Sequence, residues 1–553
     1  DVLMKPQDSN WHSDIEQTVV IASADAIQWD VETDVLVVGA GCAGASAALE
    51  AKAQGAKVLL VDRFVGGGAS GLSGGIMYYG GGTKYQQQAG YKDTPENMYN
   101  YLKLETCGIV ADSTLKKFCD ESVQNLDWLE QHGVRFEASM SPVKTFYPTN
   151  KYFLYYSGNE LVKEYKDAAE SAPRGHRVKW NGFSGAGLMK ALLHSCDNSG
   201  IETMMESRVT QLIQDGEGRI LGAKILRIAP ESSERKRFAL YYQLFTKIRM
   251  YVPPLANWLR KQMNLIEQEH TVTRLVRAKK GVVLSAGGFV FNRPMVKHHA
   301  PKYAPGAPLG SPGCNGNGIR LGESVGAATG NMERGSSWRF INPPKSWVEG
   351  IIVNRAAERI VNEGSYGARI GEAMAERHDG KAMLIFTQAM LKDVLTQLMP
   401  GKVWLMLQTA PALLSLLLNT KRAQTLEALA SKTGLPAAAL CATVERYNGF
   451  VSNQADEDFY KSTDYLRPLD QGPFYAMDVS VGNKIFVCPT ITLGGLLVDE
   501  STGQVKREDG SVMPNLYAAG RTAVGVASHS YVSGLSLADC VFSGRRAGAH
   551  IAQ

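Results

Sequence analysis

The chain has 553 residues, 44% of them apolar and 20% charged, and a net charge of +5. That length exceeds one compact core and implies two or three domains. The small net charge gives no support to nucleic-acid binding, and no apolar run reaches the roughly 18 residues that span a bilayer.

The first 30 residues lack a basic segment followed by an apolar one, so no signal peptide is expected. Residues 1–28 read as an extension. Eight cysteines, at positions 42, 107, 119, 196, 314, 441, 488 and 540, form no C-x-x-C and no metal-like cluster. Free thiols in a reducing, cytoplasmic setting are expected, with no metal.

The stretch "DVLVVGAGCAGASAALEAKAQGAKVLLVD" (34–62) reads as strand, tight turn, helix, strand. Val35 to Val38 is continuously apolar, as a buried parallel strand requires. Gly39, Gly41 and Gly44 form G-x-G-x-x-G, with Ala43 between. The first glycine permits the turn, the second lets a pyrophosphate approach, and the third lets helix pack on strand. Asp62 ends the second strand, placed to accept hydrogen bonds from a ribose, and Arg63 follows it. This combination predicts dinucleotide binding.

The next stretch, "GGGASGLSGG" (66–75), is a second Gly/Ser segment containing Ser70, Gly74 and Gly75. An NAD domain has no use for it; a flavin domain can hold pyrophosphate and ring with it. Two later strands also end in glycine, "GVVLSAGGF" (281–289) and "NLYAAGRTAVG" (515–525). They offer Ala286, Gly287 and Gly520 to the same cofactor, and the expected cofactor is FAD. Position 521 is Arg where many flavoproteins carry an acid.

Two segments stand apart. Residues 235–268 are aromatic-rich and basic, and residues 398–422 hold a 16-residue apolar run, Val403 to Leu418, flanked by Lys402, Lys421 and Arg422. Apolar helix with basic flanks is the pattern of an interfacial anchor. Peripheral contact with the inner face of the cytoplasmic membrane is expected through both. The bland alternative is that they are extra core helices or bury each other in a dimer. Residues 427–451 read as a capped helical pair without chemistry.

The chain ends on "SHSYVSGLSLADC" (528–540), with Tyr531 and Ser533 two residues apart. Read alone, Tyr-x-Ser-Gly is a turn, and Ser533 a cap for the helix that follows.

Taken together, "GGASGLSGGIMYYGGGT", "APRGH" (172–176), "GIIVNRAAERIVNEGSYGARIG" (350–371), "TLGGL" (492–496), "NLYAAGR" and "YVSGLSLADCVFSGRRAG" (531–548) resemble the flavin-dependent family of fumarate reductases and 3-ketosteroid dehydrogenases. Within it, the chain is similar to the 3-ketosteroid 4-ene (5α) dehydrogenases. The resemblance runs from about Trp29 to the C-terminus. It implies an α/β fold: a Rossmann-like, glutathione-reductase-type FAD-binding domain with an inserted α+β catalytic domain. The expected layout is 29–330 for the first part of the FAD domain, including an insertion at 235–275, then 331–480 for the catalytic domain and 481–553 for the second FAD part.

The resemblance also implies roles. Tyr531 and Ser533 match the Tyr-x-Ser of the 4-ene branch, and Tyr366 matches a tyrosine of the middle domain. Arg521, Ser536 and Leu537 join the cofactor candidates. Tyr78 and Tyr79 are expected near the flavin, lining the substrate pocket, with Gly495 and Gly534 as backbone donors. Some relatives attach flavin through a histidine in the first Gly/Ser loop; residues 63–83 contain none, so FAD is expected to be non-covalent.

Desaturating a 3-ketosteroid removes a proton alpha to the carbonyl and a hydride from the next carbon. The hydride goes to flavin N5. The protein must stabilise charge on the ketone oxygen and accept the proton. Serine alone is a poor base, and a tyrosine of ordinary pKa about 10 can take its proton if the surroundings favour tyrosinate. The expected relay is Ser533 to Tyr531, with Tyr366 donating to the ketone or assisting. The alternatives are 1-ene desaturation, reduction of an enone or enoate with Arg369 binding carboxylate, and a non-catalytic flavin- or lipid-binding protein. His529 is expected behind the site or at the surface. No haem or iron–sulfur pattern is present, so a separate electron acceptor is expected. The particular steroid and the oligomeric state stay open.

Overall fold

The structure is a computed structural model that describes residues 14–249 and 251–553. Residues 1–13 of the expected extension, and Met250 in the 235–268 segment, lie outside the described residues. Residues 14–28 are tied to the body. Val19–Ile21 pairs in parallel with Ile213–Asp215 as an edge strand, and the Asp14 carboxylate meets the Arg208 guanidinium.

A nine-stranded sheet organises the nucleotide end. Val31–Val38 lies between Val58–Val61 and the second half of the long strand Thr271–Leu284, both parallel to it. The first half of Thr271–Leu284 runs antiparallel to Ile220–Ile228. A bulge between Ala278 and Gly281 separates the halves. Gly281 has φ +134°, and a Cβ there would lie 2.4 Å from the Asn515 carbonyl oxygen. Only glycine lets Val512–Ala518 pair so closely, in parallel, beside Val282–Leu284.

The register therefore delivers three strand ends to one edge: Val38 before Gly39, Leu284 before Ala286, and Ala518 before Gly520. The helix Cys42–Ala53 follows the first. The C-terminal helix Leu535–Ile551 packs along it, with small residues at the contact. A Cβ on Gly544 would stand 2.5 Å from the Ala43 carbonyl oxygen, and one on Gly548 would stand 2.3 Å from that of Ala47. The two helices run parallel with Ala43 level with Gly544, so the C-terminal helix begins beyond the start of Cys42–Ala53.

The middle of the chain has a separate core built on a four-stranded antiparallel sheet, ordered Ile351–Val353, Met383–Thr387, Phe474–Asp478, Thr420–Ala423. The helices Leu426–Thr433 and Ala437–Ser452 cover it. The first starts on the Thr425 hydroxyl and stops at Gly434 in the left-handed region, as a glycine-terminated helix does. A three-stranded sheet of Ile76–Tyr78, Gly175–Arg177 and Leu154–Tyr155 sits next to the C-terminal turn, where the Tyr78 amide donates to the Gly534 carbonyl.

Candidate active site

The glycine turn has the form a dinucleotide needs. Gly39 has φ +104°, and a Cβ on it would collide with the Ser285 carbonyl at 2.5 Å. A Cβ on Gly44 would meet the Gly39 carbonyl oxygen at 1.7 Å. The helices beginning at Cys42 and Leu535 have glycine at their N-caps, Gly41 and Gly534, and no side-chain cap. Ala43 lies in the first turn of one helix and Ser536 and Leu537 in that of the other, and each N-terminus presents amides and a positive dipole end. Gly520 has φ +63°, and its Cβ would stand 2.8 Å from the Ala43 side chain. The Thr522 hydroxyl donates to the Gly287 carbonyl at 3.0 Å, tying the second and third strand ends together beside Ala286.

The loop Gly68–Gly74 closes this cradle and is half-buried along its length. Its Ser70 hydroxyl accepts from the Cys42 amide at 3.1 Å. Gly74 is held by the Tyr147 hydroxyl, which donates to its carbonyl at 2.9 Å, and Gly75 has φ +64°. Arg521 reaches the Ser536 hydroxyl at 3.5 Å, and its buried Nε has no hydrogen-bond partner among the described residues. An unpartnered cationic donor beside two open helix N-termini fits an anionic pyrophosphate or the electron-rich edge of a flavin.

Asp62 and Arg63, at this edge, also have partners within the protein. The Asp62 carboxylate accepts amides of Ala40 at 2.9 Å, Phe64 at 2.9 Å and Gly66 at 3.2 Å, so it locks the turn onto the Gly66 loop. Burial raises its pKa and these amides oppose the rise. Arg63 pairs with Glu267 at 2.9 Å, binding the second helix of the insertion.

At the other end of the cradle, Tyr531 and Ser533 meet residues from three distant segments. The Tyr155 hydroxyl donates to Ser533 Oγ at 3.2 Å. The Ser157 hydroxyl donates to the Ser533 carbonyl at 2.9 Å. Tyr531 stacks on Trp338, with centroids 4.7 Å apart, and lies 6.4 Å from the Tyr366 ring. Tyr366 is 4% exposed, and its backbone amide is fixed by the Asn159 side chain at 2.8 Å. The Tyr531 phenol faces the Ser533 hydroxyl, the Gly534 amide and the Arg521 charge. Burial raises the pKa of Tyr531, and those three neighbours lower it. Burial also lifts Tyr366, well above the ordinary tyrosine value, and Tyr155, with Ser533 opposing both shifts. The cap of the following helix is Gly534, at φ +94°, so Ser533 is not spent on capping. Gly495 pairs with Gly330 and lies against the Thr522 carbonyl.

Tyr78 and Tyr79, expected to line the pocket, are both buried. Tyr78 is 0% exposed; its hydroxyl donates to Glu160 at 3.2 Å and its ring stacks on Tyr101. Tyr79 is 1% exposed and faces Cys42 and Cys540. The strand Ile76–Tyr78 pairs with Gly175–Arg177, and the buried Tyr79 hydroxyl that follows it has no hydrogen-bond partner among the described residues. Arg369 pairs with Glu164 and sits over the Tyr165 ring. His529 is half-buried, with its carbonyl accepting from Arg334 at 2.8 Å. All eight cysteines are free, and no group of His, Cys, Asp and Glu among the described residues could hold a metal.

Tyr155, Trp338, Phe146 and Phe340 were not legible as site residues. The Phe146 and Phe340 rings lie parallel at 4.3 Å, joining the nucleotide end to the middle of the chain. Only the density of aromatics in "FLYYSG" (153–158) and "SWRF" (337–340) hints at them.

The sequence pattern of the FAD binding domain family matches residues 34–537. A 3-oxo-5-alpha-steroid 4-dehydrogenase of Comamonas testosteroni is 37% identical over 518 residues, covering 92% of this chain and 96% of that protein. A 3-oxosteroid 1-dehydrogenase of Mycolicibacterium smegmatis is 26% identical, covering 90% and 93%. The crystal structure of a 3-ketosteroid-delta4-(5alpha)-dehydrogenase from Rhodococcus jostii, in complex with 4-androstene-3,17-dione, superposes with a TM-score of 0.81 at 29% identity, covering 97% of this chain and 100% of that one. With the glycine cradle and these likenesses together, the chain belongs to the FAD binding domain family of flavin-dependent oxidoreductases that includes the 3-ketosteroid dehydrogenases.

Proposed function

We propose that this chain is an FAD-dependent dehydrogenase that introduces a 4-ene double bond into ring A of a 3-ketosteroid. The observation that carries the reading is Ser533 Oγ buried among tyrosines, hydrogen-bonded by Tyr155 and faced by Tyr531 and Tyr366. The likeness to a protein named for 4-dehydrogenation of 3-oxo-5α-steroids supports the regiochemistry.

Bound FAD supplies a hydride acceptor. The chain's residues handle the proton and the ketone. In this reading the C4–H bond breaks as its proton passes to Ser533 Oγ, while the serine's own proton moves to Tyr531. Arg521 and the Gly534 amide favour the tyrosinate that must receive it. Tyr366 donates to the ketone oxygen or assists the relay, and the Gly495 amide is a second candidate donor. The flat aromatic surround of Trp338 and Phe340 suits a rigid apolar ring system and excludes water. FAD is non-covalent, and the electrons leave to a separate acceptor.

Anaerobic mixing of the holoenzyme with 5α- and 5β-saturated 3-ketosteroids, followed by loss of the oxidised-flavin absorbance, tests this. Wild type should bleach and give a 4-ene product, with Ser533→Ala and Tyr531→Phe slower by roughly 10²–10⁴-fold. A 1-ene product moves the reaction to the 1,2 bond. No bleaching with any 3-ketosteroid overturns the steroid reading.

A further inference from the structure

Two apolar surfaces flank the Gly68–Gly74 loop. The first is a helical hairpin, Ser233–Ile248 and Pro253–Glu269. Each helix buries one stripe, including Phe238 and Phe245 on the first and Leu259 and Met263 on the second. The opposite faces are mixed: Leu240, Leu244, Leu255, Trp258 and Leu265 are exposed among Lys236, Arg237, Gln243, Lys247, Asn257 and Lys261. A surface helix ordinarily turns polar residues outward.

The second surface is the π-helical turn Leu405–Thr409 with the helix Ala410–Leu418. Leu405, Met406, Leu413 and Leu414 are exposed there, and Leu417 is 78% exposed. The run is too short to cross a bilayer, and no helix among the described residues is long and apolar enough to do so.

Both surfaces are fastened to the same loop. Arg249, at the end of the first hairpin helix, donates to the Leu72 carbonyl at 3.1 Å. Tyr147 holds the Gly74 carbonyl, and Gln408 donates to the Tyr147 carbonyl at 3.2 Å. The anchoring points on the loop, Leu72 and Gly74, are two residues apart, so the two elements meet at one place on the molecule.

Charge says what these surfaces suit. Residues 233–269 and 398–422 together contain ten Lys or Arg against Glu234, Glu267 and Glu269, a net +7, while the whole chain has a net charge of only +5. The rest of the chain is therefore net acidic, and the positive charge gathers beside the exposed leucines. Lys236, Lys247, Lys261 and Lys402 are exposed next to them. Apolar side chains rimmed by lysine match the interface of an anionic bilayer, where leucine and tryptophan enter the acyl boundary and lysine stays with the headgroups.

We propose that this face docks on an anionic lipid surface and that ketosteroid enters from the leaflet past the turn Leu405–Thr409. That turn reaches inward as well as outward. Trp404 and Leu407 pack against Ile76, Tyr147 and Tyr155, and Tyr155 touches Ser533. Packed apolar side chains thus connect the turn that carries exposed Leu405 and Met406 to Tyr155 and Ser533. The entry route rests on the steroid reading above; docking does not.

Co-sedimentation of the holoenzyme with phosphatidylcholine vesicles, with and without phosphatidylglycerol, tests the docking without substrate. Binding is expected to the anionic vesicles. It should fall roughly ten-fold or more in Leu255→Glu/Trp258→Glu and in Leu405→Glu/Leu417→Glu, both pairs retaining the flavin spectrum. No sedimentation with either vesicle overturns the proposal, as does binding that the glutamates leave unchanged. A dimer on gel filtration that the same glutamates dissociate overturns it too, because a second copy would then be the occupant. Bleaching by dissolved steroid with no advantage for steroid supplied in vesicles overturns the entry route alone. Failure to bleach in any format removes the steroid reading and leaves docking to the sedimentation result.

Discussion

Tyr155 donates a hydrogen bond to Ser533 across 378 residues of chain, at 3.2 Å. The Tyr155 hydroxyl also faces the Phe146 carbonyl at 3.3 Å, so its single proton is shared between that oxygen and Oγ, while the Tyr531 phenol faces the serine as well. The bond to Oγ stabilises that oxygen as the serine's own proton departs. Tyr155→Phe should therefore slow flavin reduction by roughly ten-fold, less than Ser533→Ala, with little change in steroid affinity. Rapid-mixing kinetics across steroid concentrations separate the two effects. An unchanged limiting rate would remove Tyr155 from the relay.

The pH profile should carry Tyr531. Burial raises its pKa above the ordinary tyrosine value, while Arg521, Gly534 and Ser533 pull it down. Tyrosinate is the accepting form in the proposed relay, so the limiting rate should rise with pH on the alkaline side. Arg521→Met should move that limb to higher pH, and Arg521→Lys should return it, because a like charge restores the attraction.

Behind the site, burial pushes Glu105 up to about 7. Its carboxyl accepts from Tyr101 and Asn159, each at 2.8 Å, and Asn159 fixes the Tyr366 amide. Between the ordinary carboxylate value and about 7, the unfolded chain has lost this proton and the folded chain keeps it. Stability from this group is complete at low pH and falls as pH rises through that window, by about 1.4 kcal/mol per pH unit at most. Glu105→Gln should consequently gain melting temperature relative to wild type as pH rises from 5 to 8, as thermal unfolding at stepped pH would measure.

The contact between the helices Cys42–Ala53 and Leu535–Ile551 has no room for a side chain at Gly544 or Gly548. Gly548→Leu should cost about 1–3 kcal/mol or more through forced separation. It should also weaken flavin retention, because the same helix positions Leu537 and Gly534. Melting temperature and flavin release during gel filtration check both. Substitution at Gly449, an intrahelical position with open space around it, provides the contrast.

The nucleotide turn was legible because its requirements are local. Gly39, Gly41 and Gly44 answer to steric demands met within one strand, one turn and one helix, and each glycine is where a Cβ cannot go. The inserted antiparallel sheet followed from the family resemblance, and the paired helices at 427–451 from their capping residues. Asp62 was legible as an acid at a strand end, yet its three amide partners depend on how the Gly66 loop folds back. Tyr78 and Tyr79 are adjacent in sequence, yet the Tyr78 hydroxyl is bonded to Glu160 while the buried Tyr79 hydroxyl has no partner among the described residues.

By itself, then, the sequence determined where the backbone must approach a phosphate and which strand ends must gather there. Those are short-range constraints written in glycine and in continuous apolar runs. The tertiary structure alone decided which tyrosines surround Ser533, since Tyr155 arrives through a sheet strand and Tyr366 through the middle of the chain. It also decided that two apolar segments 130 residues or more apart flank one loop. Contacts of that separation are set by the packing of whole elements, and no local spacing encodes them.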